Sequence, residues 1–179
     1  MRIVGIDPGI SGAIGVLGEN CSLVEVFDMP TVLTNKSSNR QMVNAYELAK
    51  RLRTHVVNAP AGMVAVIENV QAMPSIPGVN GERRGMGSAS AFAFGKSYGI
   101  IVGALAALGV SLELVTPTRW KSHFQLTRDK DQARELAQRL WPQAELGLKR
   151  HHNRAEALLV ARYYSHCRAS EVDAERVVS

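Results

Sequence analysis

Apolar residues fall along this chain in two rhythms. Near the N-terminus they come in short runs: Ile3–Val4–Gly5–Ile6, then Ala13–Ile14–Gly15–Val16–Leu17, then Leu23–Val24–Glu25–Val26–Phe27. Turn-forming residues such as Asp7–Pro8–Gly9 separate them, so each run reads as a β-strand. The connections are too short for a parallel crossover, which predicts an antiparallel meander of three strands. The period then changes. Met42, Tyr46, Ala49, Leu52 and Val56 recur at three- and four-residue steps, predicting an amphipathic helix that ends near Asn58–Pro60. Met63 to Val70 is a further strand, and the helix before it makes it a parallel neighbour of the first. Ala89 to Leu108 reads as a helix stopped by Gly109, and Leu112 to Val115 as a fifth strand. Ala133, Leu136, Ala137 and Leu140 place a helix before Pro142, and Ala155, Leu158, Leu159 and Tyr163 place the last one. The pattern is α/β: a mixed five-stranded sheet, three strands antiparallel and two parallel, flanked by helices.

Two segments break the pattern. Gln71 to Ser88 holds Pro74, Pro77, Gly78, Gly81, Gly85 and Gly87 around Arg83–Arg84, and a loop this long inside one domain is usually functional. Residues 169–179 read as a flexible, solvated tail, leaving 1–168 as a single domain. The chain of 179 residues is long enough to bury a core, and 46% apolar with 21% charged residues is a globular composition. Two cysteines, Cys21 and Cys167, cannot build a disulfide framework, so a cytoplasmic setting is expected. Tyr98 to Leu108, the longest apolar stretch, is interrupted by glycines and is short for a bilayer, so no membrane partner is expected. Lysine and arginine outnumber the acids by 21 to 16, and a net charge of +5 favours an anionic partner.

The chemistry concentrates in carboxylates. Asp7 ends an otherwise apolar strand, at the edge where open α/β sheets place their sites. Glu68 interrupts the buried-type run MVAVIENV at the matching end of the expected neighbour, where a carboxylate is costly unless a cation or partner satisfies it. In the segment KRHHNRAEALL, Asn153 and Glu156 are three apart, and His152 and Glu156 four apart, so all share one helical face. Structural readings stand beside these: a turn aspartate, a glutamate paired with arginine, and a solvated basic turn for His151 and His152. No HExxH, paired CxxC or nucleophile elbow is present, so zinc-protease, thiol-redox and serine-hydrolase chemistry lack support.

IVGIDPGISGAIGVL, VAVIENV, SAFAFGKSYGIIVGALAALG, VTPTRWK and HNRAEALLVARYYSHC occur in this order. Together they resemble the RuvC family of Holliday-junction resolvases, within the RNase H-like superfamily, over nearly the whole chain from Met1 to Cys167. The compact length and uneven fit are more similar to a phage-encoded relative, in a bacterial or phage-infected cytosol. The resemblance implies an RNase H-like sheet and a Mg²⁺-dependent endonuclease that makes paired phosphodiester cuts in four-way and other branched DNA, leaving 5′-phosphate and 3′-hydroxyl ends. It implies two ions per site, with Mn²⁺ as a substitute, held by Asp7, Glu68 and Glu156 with Asn153. Glu156 stands where the family has an aspartate, and Asn153 where it has an acid or histidine. His152 or His151 is then open as the group that orients water or senses phosphate.

The same resemblance implies DNA contacts by Lys121 and Lys130, with Arg119, Arg83 and Arg84 close in sequence, and puts Gln71 where relatives carry an aromatic wedge. It also places the helix Phe92 to Leu108, with Gly95, Gly99 and Gly103 at four-residue spacing, at a homodimer interface. Two other readings stay open: a less selective branched-DNA or RNA nuclease, and a junction-binding protein whose altered acidic set cuts weakly or not at all.

Overall fold

The structure, a computed structural model, describes residues 1–35, 39–69, 76–77, 83–84, 87–127 and 129–178, with the backbone alone for 35, 76–77, 83–84 and 171–178. Strands β1 (Arg2–Asp7), β2 (Ala13–Leu17) and β3 (Leu23–Asp28) form the expected meander. A hairpin follows, β4 (Thr31–Asn35) with β5 (Arg40–Val43), and then helix α1 (Ala45–Val57). After β6 (Met63–Glu68), a two-residue pair, β7 (Ile76–Pro77) and β8 (Arg83–Arg84), precedes helix α2 (Ser88–Ala107). Strand β9 (Ser111–Val115) leads to helices α3 (Pro117–His123), α4 (Lys130–Leu140) and α5 (His152–Val178).

The five-stranded sheet has the order β3-β2-β1-β6-β9. β2 is antiparallel to β1 and β3, while β6 is parallel to β1 and β9. This is the mixed sheet of three antiparallel and two parallel strands that the hydrophobic pattern predicts. Because side chains alternate across a strand, the sheet has two apolar faces. Ile3, Leu17, Val64, Val66 and Val115 pack with Trp120, Ala137, Leu158 and Leu159 on one face. Val4, Ile6, Ala65 and Ile67 pack with Leu48, Leu52, Ile101 and Leu105 on the other. Helices α3, α4 and α5 therefore cover one side, and α1 and α2 cover the other.

Two features differ from the pattern-based expectation, the start of α1 and the additional helix α3. Met42 belongs to the β4–β5 hairpin, not to α1, which starts after Asn44, whose side-chain oxygen accepts from the Glu47 amide at 3.2 Å. α3 opens with Pro117 at its first turn, a position where the missing N–H costs nothing. α5 runs from His152 to Val178 as one helix. α2 also corrects the argument from span length. By length and composition it is the one helix among the described residues able to cross a membrane, with mean hydropathy 1.3 over 18 residues. It nevertheless buries Ser97, Ile101 and Leu105 against the sheet side and leaves most of its circumference exposed.

Two glycines of the sheet position α5. Gly5 and Gly15 are directly paired across β1 and β2. A Cβ at Gly5 would come within 1.9 Å of the Ala157 carbonyl oxygen, and one at Gly15 within 2.8 Å of the Leu158 side chain. The two glycines form a shallow saddle that lets the α5 backbone rest on the sheet.

Candidate active site

That saddle decides what meets at the end of the sheet. Ile6 of β1 is level with Ile67 of β6, so Asp7 and Glu68 come level at the carboxyl ends of adjacent parallel strands. Asp7 lies on the same face as Gly5, two residues back, and Glu68 on the same face as Val66. α5 covers that face, and Glu156 precedes Ala157, the residue seated over Gly5. Three acids distant in sequence thus converge from β1, β6 and α5.

Their electrostatics record the crowding. Asp7 has its pKa pushed up to about 8, first by burial of its carboxyl group and then by the charges of Glu156 and Glu68, with Lys130 and Lys121 opposing. Glu68 is buried and also held above the usual carboxylate range, mainly by loss of solvent and by Glu156. Each glutamate has a donor from α3. The Trp120 indole N–H donates to Glu68 Oε1 at 2.9 Å, and Lys121 Nζ lies 3.0 Å from Glu156 Oε1. Trp120 itself is fully buried, so its N–H has no access to water as an alternative partner. Among the described residues no group of three His, Cys, Asp or Glu side chains stands ready to enclose a metal ion.

A groove of about 700 Å³ opens beside Asp7, lined by Ser11, Lys130, Arg150, His152 and Asn153 among others. His152 Nδ1 donates to the Lys149 carbonyl at 2.9 Å, so Nε2 accepts from Lys130 Nζ at 3.1 Å. The Asn153 amide N–H donates to the Ser11 carbonyl, tying α5 to the β1–β2 turn. His151 is turned inward, where Nδ1 accepts from the Leu148 amide at 3.4 Å, and burial lowers its pKa. Of the two histidines, only His152 faces the groove.

The structure thus brings together Asp7, Glu68, Glu156, Asn153, His152, Lys121 and Lys130. Arg119 is exposed on α3. Arg83 and Arg84 lie in β8, with their side chains outside the described residues, as is Gln71. Two residues at the site carried no role in the sequence reading. One is Trp120, whose signal is a tryptophan immediately before the basic residue of VTPTRWK. The other is Arg154, which holds both oxygens of Asp28 at 2.6 and 2.9 Å and reaches Glu145 at 3.1 Å. That fork fixes the first turn of α5 to the end of β3, and the hydrogen bond from Arg154 lowers the Asp28 pKa. Asp28 is therefore engaged by arginine, and Glu113 is exposed on β9.

No protein-family model matches the chain, and no curated protein matches it. Solved structures do. A structure of RuvC from T. thermophilus in complex with a Holliday junction substrate superposes with a TM-score of 0.59 at 19% identity, over 93% of this chain and 96% of that one. A Thermus thermophilus RuvC structure gives a TM-score of 0.54 at 17% identity, with the same coverage of each chain. The chain shares the RuvC-like, RNase H-like fold.

Proposed function

We propose that this protein is a divalent-metal-dependent endonuclease selective for four-way and other branched DNA, making paired cuts as a homodimer. One observation carries the reading: three carboxylates converge on one sheet edge, in a fold shared with a junction-bound RuvC, next to a cation-lined groove. The donor set fits a hard divalent cation. Asp7 and Glu68 are held above their ordinary proton affinity first by burial and then by neighbouring carboxylate charge, which a cation would offset, and oxygen ligands are what Mg²⁺ prefers. Asp7, Glu68 and Glu156 would hold the ions, with the Asn153 side chain at the edge of the set. When bound, two such ions supply an activated water and charge stabilisation for the leaving oxygen of a phosphodiester.

The chain's own residues do the rest. Trp120 orients Glu68 by holding one oxygen. Lys121 balances Glu156 in the free protein and is placed to meet a phosphate once that carboxylate is otherwise engaged. Lys130 and His152 present a cationic edge to the backbone of the bound strand. Arg119, Arg83, Arg84 and Gln71 complete the proposed DNA surface. The outward face of α2, where a Cβ at Gly95, Gly99 or Gly103 meets nothing within 4 Å, is the proposed contact with a second copy. Mg²⁺ with Mn²⁺ as a substitute, a cytosolic setting and a phage-type origin belong to the same reading.

The test is cleavage of a labelled immobile four-way junction against linear duplex, in Mg²⁺ and in EDTA, with Glu156→Gln alongside. Metal-dependent paired nicks on the junction, lost in the variant, are expected. Tight binding without cutting in Mg²⁺ or Mn²⁺ would favour a junction-binding protein instead. The Lys121–Glu156 bridge, which places a fixed cation among the acids, gives that second reading its footing.

A further inference from the structure

The groove at Asp7 does not end at the acids. Ile10, in the β1–β2 turn, lines both that groove and a second one of about 550 Å³. The β4–β5 hairpin forms one wall of the second groove through Thr34, Arg40 and Met42, and the first half of α2 forms the other through Phe92 and Lys96. Phe92 is 76% exposed and Ile10 44%, so the apolar part of the lining is open to solvent. Arg40 and Lys96 stand on opposite walls, both exposed, and no ion pair engages either among the described residues. Among the described residues, no carboxylate lines this groove.

We propose that the channel between the β4–β5 hairpin and α2 holds the sugar–phosphate backbone of a DNA arm as it leaves the site at Asp7, with Arg40 and Lys96 on phosphates. The inference rests on the function proposed above and adds where one arm lies. Charge decides the occupant. Two unpaired cations facing each other across a channel with no acid among its described lining residues attract a polyanion, and the side chains between them on the walls, Asn39, Gln41 and Ser90, carry amide and hydroxyl donors suited to phosphate oxygens. Ile10 and Phe92 offer apolar surface to the sugars. Continuity through Ile10 sets the direction, since a strand cut at Asp7 has this channel as its next surface.

The test is fluorescence anisotropy of a labelled immobile junction in EDTA, where nothing is cut, across a series of NaCl concentrations. The double variant Arg40→Ala/Lys96→Ala is compared with Lys50→Ala/Arg53→Ala, which removes the same charge from the exposed face of α1. Each phosphate contact contributes about 0.9 to the slope of log affinity against log salt. The groove variant should flatten that slope by about 1.8 and weaken binding roughly tenfold near 100 mM salt, while the α1 variant keeps the wild-type slope. Phe92→Ala should weaken binding with the slope unchanged. Equal losses in both double variants would reduce the effect to net charge and overturn the assignment, as would a wild-type slope in the groove variant. A changed oligomeric mass of the groove variant, read by light scattering, would make the channel an interface between copies and also overturn it. If the wild-type protein fails to bind the junction, the proposed function falls with it; if the wild type binds and the groove variant binds equally well, only the channel does.

Discussion

Asp7, half-buried at the end of β1, carries a raised pKa, and its protonation makes a signed prediction. Its pKa is about 8 in the metal-free fold against 3.8 for the ordinary carboxyl. Between those values the folded chain holds a proton that the unfolded chain has released, so stability falls as pH rises through this window. Asp7→Asn removes the titration. In EDTA at pH 8 the variant should therefore melt above the wild type by at least ~2 °C, on the order of 1 kcal/mol for a chain of this size, and the gap should close toward pH 5. A wild type that melts higher at pH 8 would contradict the electrostatic account. The same variant should lose metal-dependent cleavage, so stability and activity move in opposite directions. Trp120→Phe probes the neighbouring contact. It keeps an aromatic ring in the buried site but removes the N–H together with part of the indole, leaving Glu68 Oε1 without its donor at a cost of about 1–3 kcal/mol in addition to the packing lost. The chain should stay folded by circular dichroism while the Mn²⁺ concentration for half-saturation, read by calorimetry, rises several-fold. An unchanged calorimetric titration would reduce Trp120 to a packing role.

Among the elements, the β1–β2 saddle under α5 explains why the candidate site was partly legible before any coordinates. Gly5 and Gly15 interrupt two apolar runs, and in the fold they are where the α5 backbone lands. Asp7, Glu68 and Glu156 stood out because each is an acid in an apolar context, a conflict visible one residue at a time. The sheet was legible for a similar reason, since strand period and connection length are local properties. Trp120 and Arg154 were not, because their roles depend on partners 52 and 126 residues away. Nor was the β4–β5 hairpin: Thr31–Asn35 and Arg40–Val43 alternate weakly, and Met42 sits in phase with the α1 stripe that follows. Gly5→Ala tests the saddle. Its Cβ would meet backbone atoms of Ala157 and Ala161, which cannot swing aside, so α5 must lift and carry Glu156 away from Asp7. A loss of roughly 1–3 kcal/mol in urea unfolding is expected, with cleavage falling further than the folded fraction. Gly95→Ala, where nothing lies within 4 Å of the new Cβ, should match or exceed wild-type stability.

At the scale of the molecule, the two sheet faces are unequally finished. α5 is enclosed by the sheet and α4, and its residues from Ala155 to Ala161 are all buried. α2 is as apolar, yet only its Ser97–Ile101–Leu105 stripe is buried. A helix apolar around most of its circumference with one face covered calls for a second cover. In the function proposed above, an isologous contact between two copies would supply one and give two sites related by two-fold symmetry, as the proposed paired cuts on opposing strands require. Gly99→Leu separates this reading from a helix that is merely exposed. Within one chain a Cβ at this position meets nothing within 4 Å, and leucine favours helix over glycine by up to ~1 kcal/mol, so the fold of the single copy should be unharmed. Across a close helix pair the same side chain prevents approach. Light scattering should therefore show a mass near 39 kDa, twice the 19.5 kDa chain, for the wild type, and a mass near 19.5 kDa for the variant with its circular dichroism intact. Junction cutting by the variant should then fall to uncoordinated single nicks. A variant that stays at twice the chain mass would place the dimer contact away from the α2 glycines, and a wild type already at 19.5 kDa would leave coordinated cutting without a structural basis.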